Sequence, residues 1–439
     1  MIPRARALLL LSLLSLALPG SVAHASGGTA AAWAQTAYRP GEVVVRMSDG
    51  RTRVRPVAGG RTVLEEAERL ARRPDVASAG PNWIARASAF VPNDPGESGE
   101  PGGWQQTQWN LLPVTGIDAP AAWENLIAAG KPGGKGVVVA VLDTGVAYRN
   151  LGRKFRRSPD LAPERFRRGY DFVDDDAYPL DHNGHGTHVT STIAETANNG
   201  IALVGIAYGA RILPVRVLDR LGEGDSYSIS RGIRFAARRG AKIINLSFEF
   251  SSTVRPGQIP EILGALRYAR RRGALVVAAS GNASATAVAY PARASDVLSV
   301  GAVTEHGCQA GYSNTGRNLD LVAPGGGPDA PLSSPSCRPD EPPGRDILQM
   351  TFLNSARRFG LPTGYVGTSM ATPHVSATAA LIVASGVLGD DPSPAQITAR
   401  LKTSATDLGA PGADARYGAG LINAGRATAP DPASSPPAQ

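Results

Sequence analysis

Residues 137–145 read Val-Val-Val-Ala-Val-Leu-Asp-Thr-Gly, an unbroken apolar run that ends at a carboxylate, a hydroxyl and a glycine. A run without polar alternation is typical of a parallel strand covered on both faces. Further apolar runs follow, and they alternate with stretches of helical periodicity such as residues 228–239, where isoleucines and arginines fall on opposite faces. The pattern predicts a three-layer α/β fold, with a mostly parallel central sheet and helices on both faces. The predicted strands are residues 137–142, 211–218, 243–247, 275–280 and 297–303, and the predicted helices are residues 188–196, 228–239, 262–272 and 375–384.

The chain has 439 residues, of which 42% are hydrophobic, and a formal net charge of +8. This length predicts one large domain with smaller additions. Residues 149–168 alone carry eight basic side chains and two acids. We interpret them as a solvated basic loop, because no known nucleic-acid-binding module accompanies them, and we expect no nucleic-acid partner.

The N-terminus has the pattern of an export signal. Arg4 and Arg6 precede an apolar run over residues 8–18, and Ala23-His24-Ala25 offers a small-x-small cleavage site. We expect residues 1–25 to be a signal peptide, which makes the mature protein secreted; an uncleaved membrane anchor is the alternative. No later segment is long and apolar enough to span a membrane, so we expect no anchor after signal removal.

The rest of the chain divides into four parts by composition. A small α+β unit is predicted near the N-terminus, with strands at residues 41–46 and 76–84 and a helix at residues 62–73. A stretch rich in proline, glycine and turn formers follows and predicts a linker. The expected parts are the α+β unit within residues 26–90, the linker at 91–103, the main domain at 104–428 and a disordered tail at 429–439.

Three reactive side chains stand at predicted element boundaries. Asp143 ends the first apolar strand, and active sites of such folds lie at the carboxyl ends of strands. His185 lies between glycines just before a predicted helix. Ser369 opens a helix of small apolar residues, whose N-terminus favours developing negative charge. Together they supply the acid, base and nucleophile that acyl transfer requires.

The chemistry needs all three groups. A serine hydroxyl becomes a good nucleophile when a neutral imidazole takes its proton, and a buried carboxylate fixes the tautomer of that imidazole. The chain order Asp, His, Ser is the order of subtilisin and is opposite to the Ser-first order of the α/β-hydrolases. His182 is a rival for the role of base, whereas we expect His188 and His374 to be structural.

The segments Val-Leu-Asp143-Thr-Gly, His185-Gly-Thr-His-Val and Gly-Thr-Ser369-Met-Ala-Thr-Pro-His resemble the three signature motifs of the subtilisin-like serine protease family. A fourth segment, Val-Val-Ala-Ala-Ser-Gly-Asn282, is similar to the family's oxyanion segment. The resemblance covers most of residues 104–428. It implies a secreted serine endopeptidase that forms an acyl-enzyme on Ser369, with the oxyanion held by the Asn282 side chain and the backbone N–H of the nucleophile.

The resemblance also implies a cleft that binds extended peptides between two edge strands by β-augmentation. Glu249 and Phe250 stand where family members often carry glycines. Because acids attract cations, Glu223 and Glu249 suggest a preference for Lys or Arg near the scissile bond; alternatively, Glu249 points to solvent. The expected cleft residues are Gly222, Glu223, Gly224, Ser247, Phe248, Glu249, Ala279 and Gly281.

A structural calcium ion is a further implication of the resemblance. Residues 197–203 are similar to the family's calcium loop, in which an asparagine side chain and alternate carbonyls ligate, and residues 158–161 are similar to the segment that supplies a carboxylate. Gln105 would add a ligand. An asparagine turn without metal is the alternative. The expected ligands are Asp160, Ala197, Asn199, Ile201 and Leu203.

Residues 38–86 resemble a short inhibitory prosegment of the family, which implies that the cleft accepts both polypeptide substrates and its own prosegment, with self-cleavage in the linker. We expect a monomer. The two cysteines, Cys308 and Cys337, are expected to pair in an exported chain, with free thiols as the alternative. The sequence does not indicate a role for the insertion at residues 325–363.

Two rival functions use the same residues. A degenerate family member would keep the fold as a binding or scaffold protein, and an esterase or lipase would apply the same triad to other acyl groups. The intact Asp, His, Ser and Asn argue against the first, and the two edge strands favour peptides over esters. The leading prediction is therefore a secreted serine endopeptidase.

Overall fold

The structure is a computed structural model that describes residues 38–57, 59–83, 90–331, 337 and 342–430. The chain divides into two compact units, residues 1–88 and 89–439. The expected signal peptide and nearly all of the expected tail lie outside the described residues. Among the described helices, none combines the length and apolarity needed to cross a membrane.

The first unit is a three-stranded antiparallel sheet with one helix. It contains β1 (Tyr38–Met47), β2 (Thr52–Pro56), α1 (Val63–Ala71) and β3 (Val76–Trp83), and the strand order is β2-β1-β3. Thr62 caps α1 and exchanges hydrogen bonds with Glu65. The sequence did not predict β2, because every residue of this strand is exposed and its sequence has no apolar pattern.

The second unit holds a seven-stranded sheet and most of the helices. Its strands are β4 (Val138–Asp143), β5 (Tyr170–Asp171), β6 (Arg211–Arg216), β7 (Ile243–Leu246), β8 (Leu275–Ala279), β9 (Val297–Val303), β10 (Leu321–Pro324), β11 (Thr351–Ser355) and β12 (Arg358–Gly360). Its helices are α2 (Trp104–Thr107), α3 (Ala119–Ala128), α4 (His185–Ala194), α5 (Ser226–Arg238), α6 (Pro260–Arg271), α7 (Thr368–Ser385), α8 (Pro394–Thr403) and α9 (Ala424–Thr428).

The strands of the main sheet are all parallel and run in the order β10-β9-β8-β7-β4-β6-β5. Along β4 the side chains alternate between two cores: Val139 and Val141 pack with α3, α4 and α7, whereas Ala140 and Leu142 pack with α5 and α6. The predicted three-layer fold is therefore confirmed. Because β6 and β7 flank β4, the chain diverges to both sides of β4, and such a switch point opens a crevice at the carboxyl ends of the strands.

Several boundaries differ from the sequence prediction. Helix α4 begins at His185 rather than residue 188, and β6 ends at Arg216 rather than residue 218. Residues 91–103 are not a free linker within this unit, because Asp94 is fully buried there and accepts hydrogen bonds from Asn198 and Asn199.

The insertion at residues 325–363 forms the antiparallel β11–β12 hairpin, and the segment leading into it packs on α4. The ring of His188 contacts the Ile347 carbonyl at 2.9 Å, and the Ser191 hydroxyl donates to the Met350 carbonyl. Cys308 and Cys337 form a disulfide. The insertion therefore supports the helix that begins at His185.

Candidate active site

Strand β4 and helix α4 bring an acid and an imidazole together at the crevice. Asp143 is the last residue of β4 and is fully buried, and the first residue of α4 is His185. His185 Nδ1 lies 2.7 Å from Asp143 Oδ1, which also accepts the Thr144 N–H at 2.8 Å. A carboxylate at Nδ1 fixes the tautomer that carries its proton there, so Nε2 is left as the base. The His185 side chain is 26% exposed and is accessible to substrate.

A second buried aspartate, which the sequence prediction missed, holds the turn that leads into α4. Asp181 accepts hydrogen bonds from the backbone N–H groups of residues 183, 184 and 187 and from the hydroxyls of Thr144 and Thr187. With five donors on one carboxylate, the backbone on both sides of His185 has little freedom. The signal in the sequence is the spacing Asp-x-x-x-His, but the convergence of Thr144 is visible only in the fold.

The electrostatic surroundings favour the charged form of His185. Burial lowers the pKa of His185, but the charge and hydrogen bond of Asp143 and the charge of Asp181 outweigh burial, and the net pKa is raised above its ordinary value. An imidazole that bonds a buried carboxylate is stabilised as imidazolium, which is the form created when it accepts a proton from a nucleophile.

Helix α7 carries the serine. Gly367 precedes this helix with φ of 150°, and Ser369 is the second helical residue and is half-buried. Helices α4 and α7 pack against each other beneath the crevice. The Ser369 hydroxyl forms no hydrogen bond with any described residue, so the fold holds the Asp–His pair closely and leaves the serine contact open. In substrate-free enzymes such catalytic contacts are often long and shorten when substrate binds.

Two hydrogen-bond donors face the space beside Ser369. Asn282 Oδ1 accepts the backbone N–H of Thr368 at 2.8 Å and its hydroxyl at 2.9 Å, so the amide orientation is fixed and Nδ2 points away from Thr368. A carbon placed as a side chain on Gly367 would lie 3.6 Å from Ser369 N and from Asn282 Oδ1, which is occupied by Thr368, and 3.7 Å from Asn282 Nδ2. The absence of a side chain at Gly367 therefore leaves the space between these two donors open, as an oxyanion site requires.

Three other histidines, His182, His188 and His374, are placed as structural groups or at the surface. Burial lowers the pKa of His188 to about 3 and that of His374 to about 4, so both are neutral at ordinary pH. His188 stacks on Tyr365 with ring centroids 4.1 Å apart, and His374 contacts Met370 O and Asn110. His182 is exposed and packs on Phe155, whereas His185 is the histidine that contacts Asp143.

The two expected substrate segments continue from the strands that flank β4. Residues 222–224 follow β6 and are exposed, and residues 247–249 follow β7. Neither segment is a strand in the structure. Ala279 ends β8 and is buried, and Gly281 follows it with φ of 110° beside Asn282. The segments thus border the crevice that contains Asp143.

The expected calcium ligands only partly come together. Asp160 Oδ1 lies 2.7 Å from the Asn199 side-chain nitrogen. Among the described residues, the carbonyls of Ala197, Ile201 and Leu203 accept no backbone hydrogen bond, whereas the intervening Ala202 carbonyl accepts one from Gly96. The Asn199 amide is turned the wrong way for a metal, because its oxygen accepts the Ile201 N–H. Gln105 is exposed, and the nearby acid is instead Asp94, which the sequence prediction missed.

Two further observations fit a cation at this place. Burial raises the pKa of Asp160 to about 8, against hydrogen bonds from Asn199 and Leu203 and with help from the charge of Asp94. Burial and the charge of Asp160 raise the pKa of Glu195, whose Oε2 is buried without a hydrogen-bond partner. Within the described ranges no arginine or lysine pairs with these three acids, and no three acids, histidines or cysteines are close enough to form a recognisable metal cluster. The free carbonyls fit calcium better than the side-chain geometry does.

A buried aspartate bonded to a histidine at the edge of a parallel sheet, with a serine at a facing helix N-terminus, defines the class of serine hydrolases with an Asp-His-Ser order. Comparison with known proteins gives the family. The model of the subtilase family matches residues 134–420. Subtilisin Savinase of Lederbergia lenta is 35% identical over 324 residues, which cover 74% of this chain and 99% of Savinase.

Two more relatives agree. Thermitase of Thermoactinomyces vulgaris is 33% identical over 77% of this chain and 99% of its own. A solved protease structure from Pseudoalteromonas arctica superposes with a TM-score of 0.61 at 29% identity and covers 77% of this chain and 99% of that protein. The chain belongs to the subtilase family and is a serine endopeptidase that acts on polypeptides. The predicted fold and class of enzyme are confirmed.

Proposed function

We propose that this chain is a secreted, monomeric endopeptidase in which Asp143, His185 and Ser369 form the catalytic triad and Asn282 completes the oxyanion hole. The observation that carries the proposal is the 2.7 Å contact between His185 and a fully buried Asp143, at the same sheet edge as the Asn282–Ser369 donor pair. The expected absence of nucleic-acid and membrane partners remains part of this proposal.

The proposed mechanism follows from these placements. His185 Nε2 takes the proton of Ser369 Oγ as this oxygen attacks the scissile carbonyl, and Asp143 stabilises the imidazolium. The oxyanion accepts hydrogen bonds from Asn282 Nδ2 and Ser369 N. His185 then gives its proton to the leaving amine, which leaves an acyl-enzyme on Ser369. Water, deprotonated by the same imidazole, releases the acid product and restores the serine.

The test is casein hydrolysis by the mature protein and by three variants. Ser369→Ala should abolish hydrolysis, and Asn282→Ala should lower kcat by about 10²–10³-fold with little change in KM. Ser295→Ala, at an exposed serine remote from the crevice, is the matched control and should retain full activity. Hydrolysis of simple esters with no cleavage of casein would instead indicate an esterase, and an inert wild type would indicate a binding protein.

We further propose that calcium binds near Asp94, Asp160 and Asn199, with the carbonyls of residues 197, 201 and 203. When bound, the ion supplies positive charge to buried acids and plays no part in the chemical steps. The free carbonyls and the unpaired Glu195 oxygen support this proposal, on the condition that the Asn199 amide rotates to present its oxygen.

The first unit is proposed to be an inhibitory prosegment that is removed by self-cleavage. It has a small core of its own, formed by Val43, Val45, Val63, Ala67 and Leu70. Ser369→Ala, expressed alone, should accumulate as the uncut precursor, whereas the wild type should yield a shorter mature N-terminus by protein sequencing. Normal processing of purified Ser369→Ala would assign the cleavage to another protease.

A further inference from the structure

Glu249 holds its carboxylate against the oxyanion segment. Its Oε1 accepts the backbone N–H of Asn282 at 3.2 Å, and its Oε2 lies 2.6 Å from the position that a side-chain carbon on Gly281 would occupy. The Asn314 side-chain nitrogen lies still closer to that position, at 2.1 Å, so the space left open by this glycine is shared by the Asn314 amide and the Glu249 carboxylate, one residue before the proposed oxyanion donor. The Glu249 side chain is exposed, as the alternative raised by the sequence expects, but the contact with Asn282 keeps one of its oxygens at the oxyanion segment.

The backbone that carries Glu249 is anchored on both sides. Phe248 and Phe250 pack against the core beneath α5 and α6, and the Phe250 N–H donates to the Tyr290 carbonyl at 2.7 Å. Ser247, at the end of β7, is buried. Glu249 is thus an exposed side chain on a fixed segment, and a ligand in the crevice can reach it without a rearrangement of the main chain.

The Glu249 carboxylate forms no ion pair with the described part of the chain. Among the described residues no lysine, arginine or histidine lies within ion-pair distance of it, and its hydrogen-bond partner is the neutral N–H of Asn282. Other acids near the crevice are matched differently: Asp143 contacts His185, and Asp171 and Asp174 both contact Arg216. Glu249 therefore retains free acceptor capacity for a cation from outside the chain.

A basic side chain of the substrate can supply that cation. This inference rests on the proposed function, which fixes how the substrate binds. The scissile carbonyl must place its carbon at Ser369 and its oxygen at Asn282 Nδ2. In the substrate residue that contributes this carbonyl, the side chain is attached to the Cα next to the carbonyl carbon. That side chain therefore starts beside Gly281 and Asn282. A long cationic side chain at this residue reaches the carboxylate, and a guanidinium can engage both oxygens. We infer that Glu249 selects substrates with Arg or Lys as the residue that supplies the scissile carbonyl.

The experiment compares kcat/KM of the mature enzyme on four peptide p-nitroanilides that differ only in this residue: Arg, Lys, Gln or Leu. The wild type should cleave the Arg and Lys substrates at least about tenfold better than the Gln substrate, because a desolvated ion pair in a binding site has an effect of that order or greater. Glu249→Gln should remove most of this preference and leave kcat/KM on the Leu substrate within about threefold. Glu261→Gln, the same charge change on the exposed start of α6, should behave as the wild type.

Titration with a fluorophosphonate distinguishes a failure of the proposed function from a failure of the proposed role of Glu249. A protein that is not labelled lacks the proposed catalytic serine, and the proposed function fails. A labelled wild type without preference for Arg or Lys, or a preference that persists in Glu249→Gln, overturns the role of Glu249 and leaves the proposed function intact. A preference that also falls in Glu261→Gln would assign it to the overall charge and equally overturn the inference.

Discussion

Helix α4 has buried acids at both of its ends. The two ends differ in the hydrogen-bond and charge partners that those acids have. At the N-terminal end, Asp143 bonds the His185 ring and Asp181 accepts five hydrogen bonds. At the C-terminal end, Glu195 caps the helix beside Asp160 and contacts the Met350 N–H, but no described basic side chain pairs with either acid.

The helix dipole increases this difference, because it favours negative charge at the N-terminus of a helix and opposes it at the C-terminus. The catalytic end is therefore complete in the protein alone. At the opposite end, burial raises the pKa values of Asp160 and Glu195, so these acids hold protons that a bound cation would displace. The comparison predicts that changes at the first end affect turnover and changes at the second affect stability.

The largest expected effect is at the catalytic end. Asp143→Asn should lower kcat by about 10⁴-fold, because the amide no longer fixes the tautomer or stabilises the imidazolium. Its melting temperature in calcium should stay close to that of the wild type. Asp391→Asn, at an exposed acid, is the control with the same substitution and should keep its activity. Unimpaired turnover in Asp143→Asn would remove this residue from the triad.

The next effect is at the other end of α4. Chelation of calcium from the mature enzyme should lower its melting temperature by roughly 10 °C, since a ligand at 1,000 times its Kd contributes about 4 kcal/mol and each kcal/mol shifts Tm by about 2–4 °C in large domains. The measurement is calorimetry with and without EDTA. Asp160→Asn should respond less to EDTA, while Asp391→Asn should respond as the wild type. An identical Tm before and after exhaustive chelation would contradict the proposed site.

The loss of stability on calcium chelation should depend on pH in a defined direction. The folded-state pKa of Asp160 is raised to about 8, so in the absence of calcium the folded protein holds a proton that the unfolded chain releases near its ordinary pKa. Stability of the chelated protein should therefore fall as pH rises toward 8. Calorimetry at pH 5 and pH 8 should show the larger EDTA effect at pH 8, and equal effects would argue against a buried ionised Asp160.

A smaller effect concerns the pH profile of activity. Because the pKa of His185 is raised and its neutral form is the base, kcat/KM should rise with pH through a value above 6.5. Asp181→Asn removes one of the charges that raise this pKa, so it should move the acidic limb toward lower pH by a fraction of a unit. A limb below 6.5 in the wild type, or an unshifted limb in the variant, would contradict this assignment of charges.

Sequence patterns predicted the parts of the molecule that repeat or alternate. The apolar runs predicted five of the seven strands of the main sheet, and Asp143, His185 and Ser369 were selected because each follows or opens a regular element. Asp181 and Asp94 were missed because their partners, Thr144 and Asn198, are 37 and 104 residues away. Strand β2 has no apolar pattern, and the β11–β12 hairpin lies in an insertion for which the sequence indicated no role. Gln105 was expected as a ligand from the family resemblance, but it is exposed, whereas Asp94 is buried beside Asn198 and Asn199.

The most direct test of the central claim is to react the mature protein with a fluorophosphonate and locate the adduct by mass spectrometry. Nucleophilic attack by an imidazole-activated hydroxyl predicts a single adduct on Ser369, complete inactivation at one equivalent, and a large loss of labelling rate in His185→Ala. An adduct on any other residue, or labelling of Ser369 that proceeds equally fast without the His185 ring, would contradict the claim that these two side chains act together.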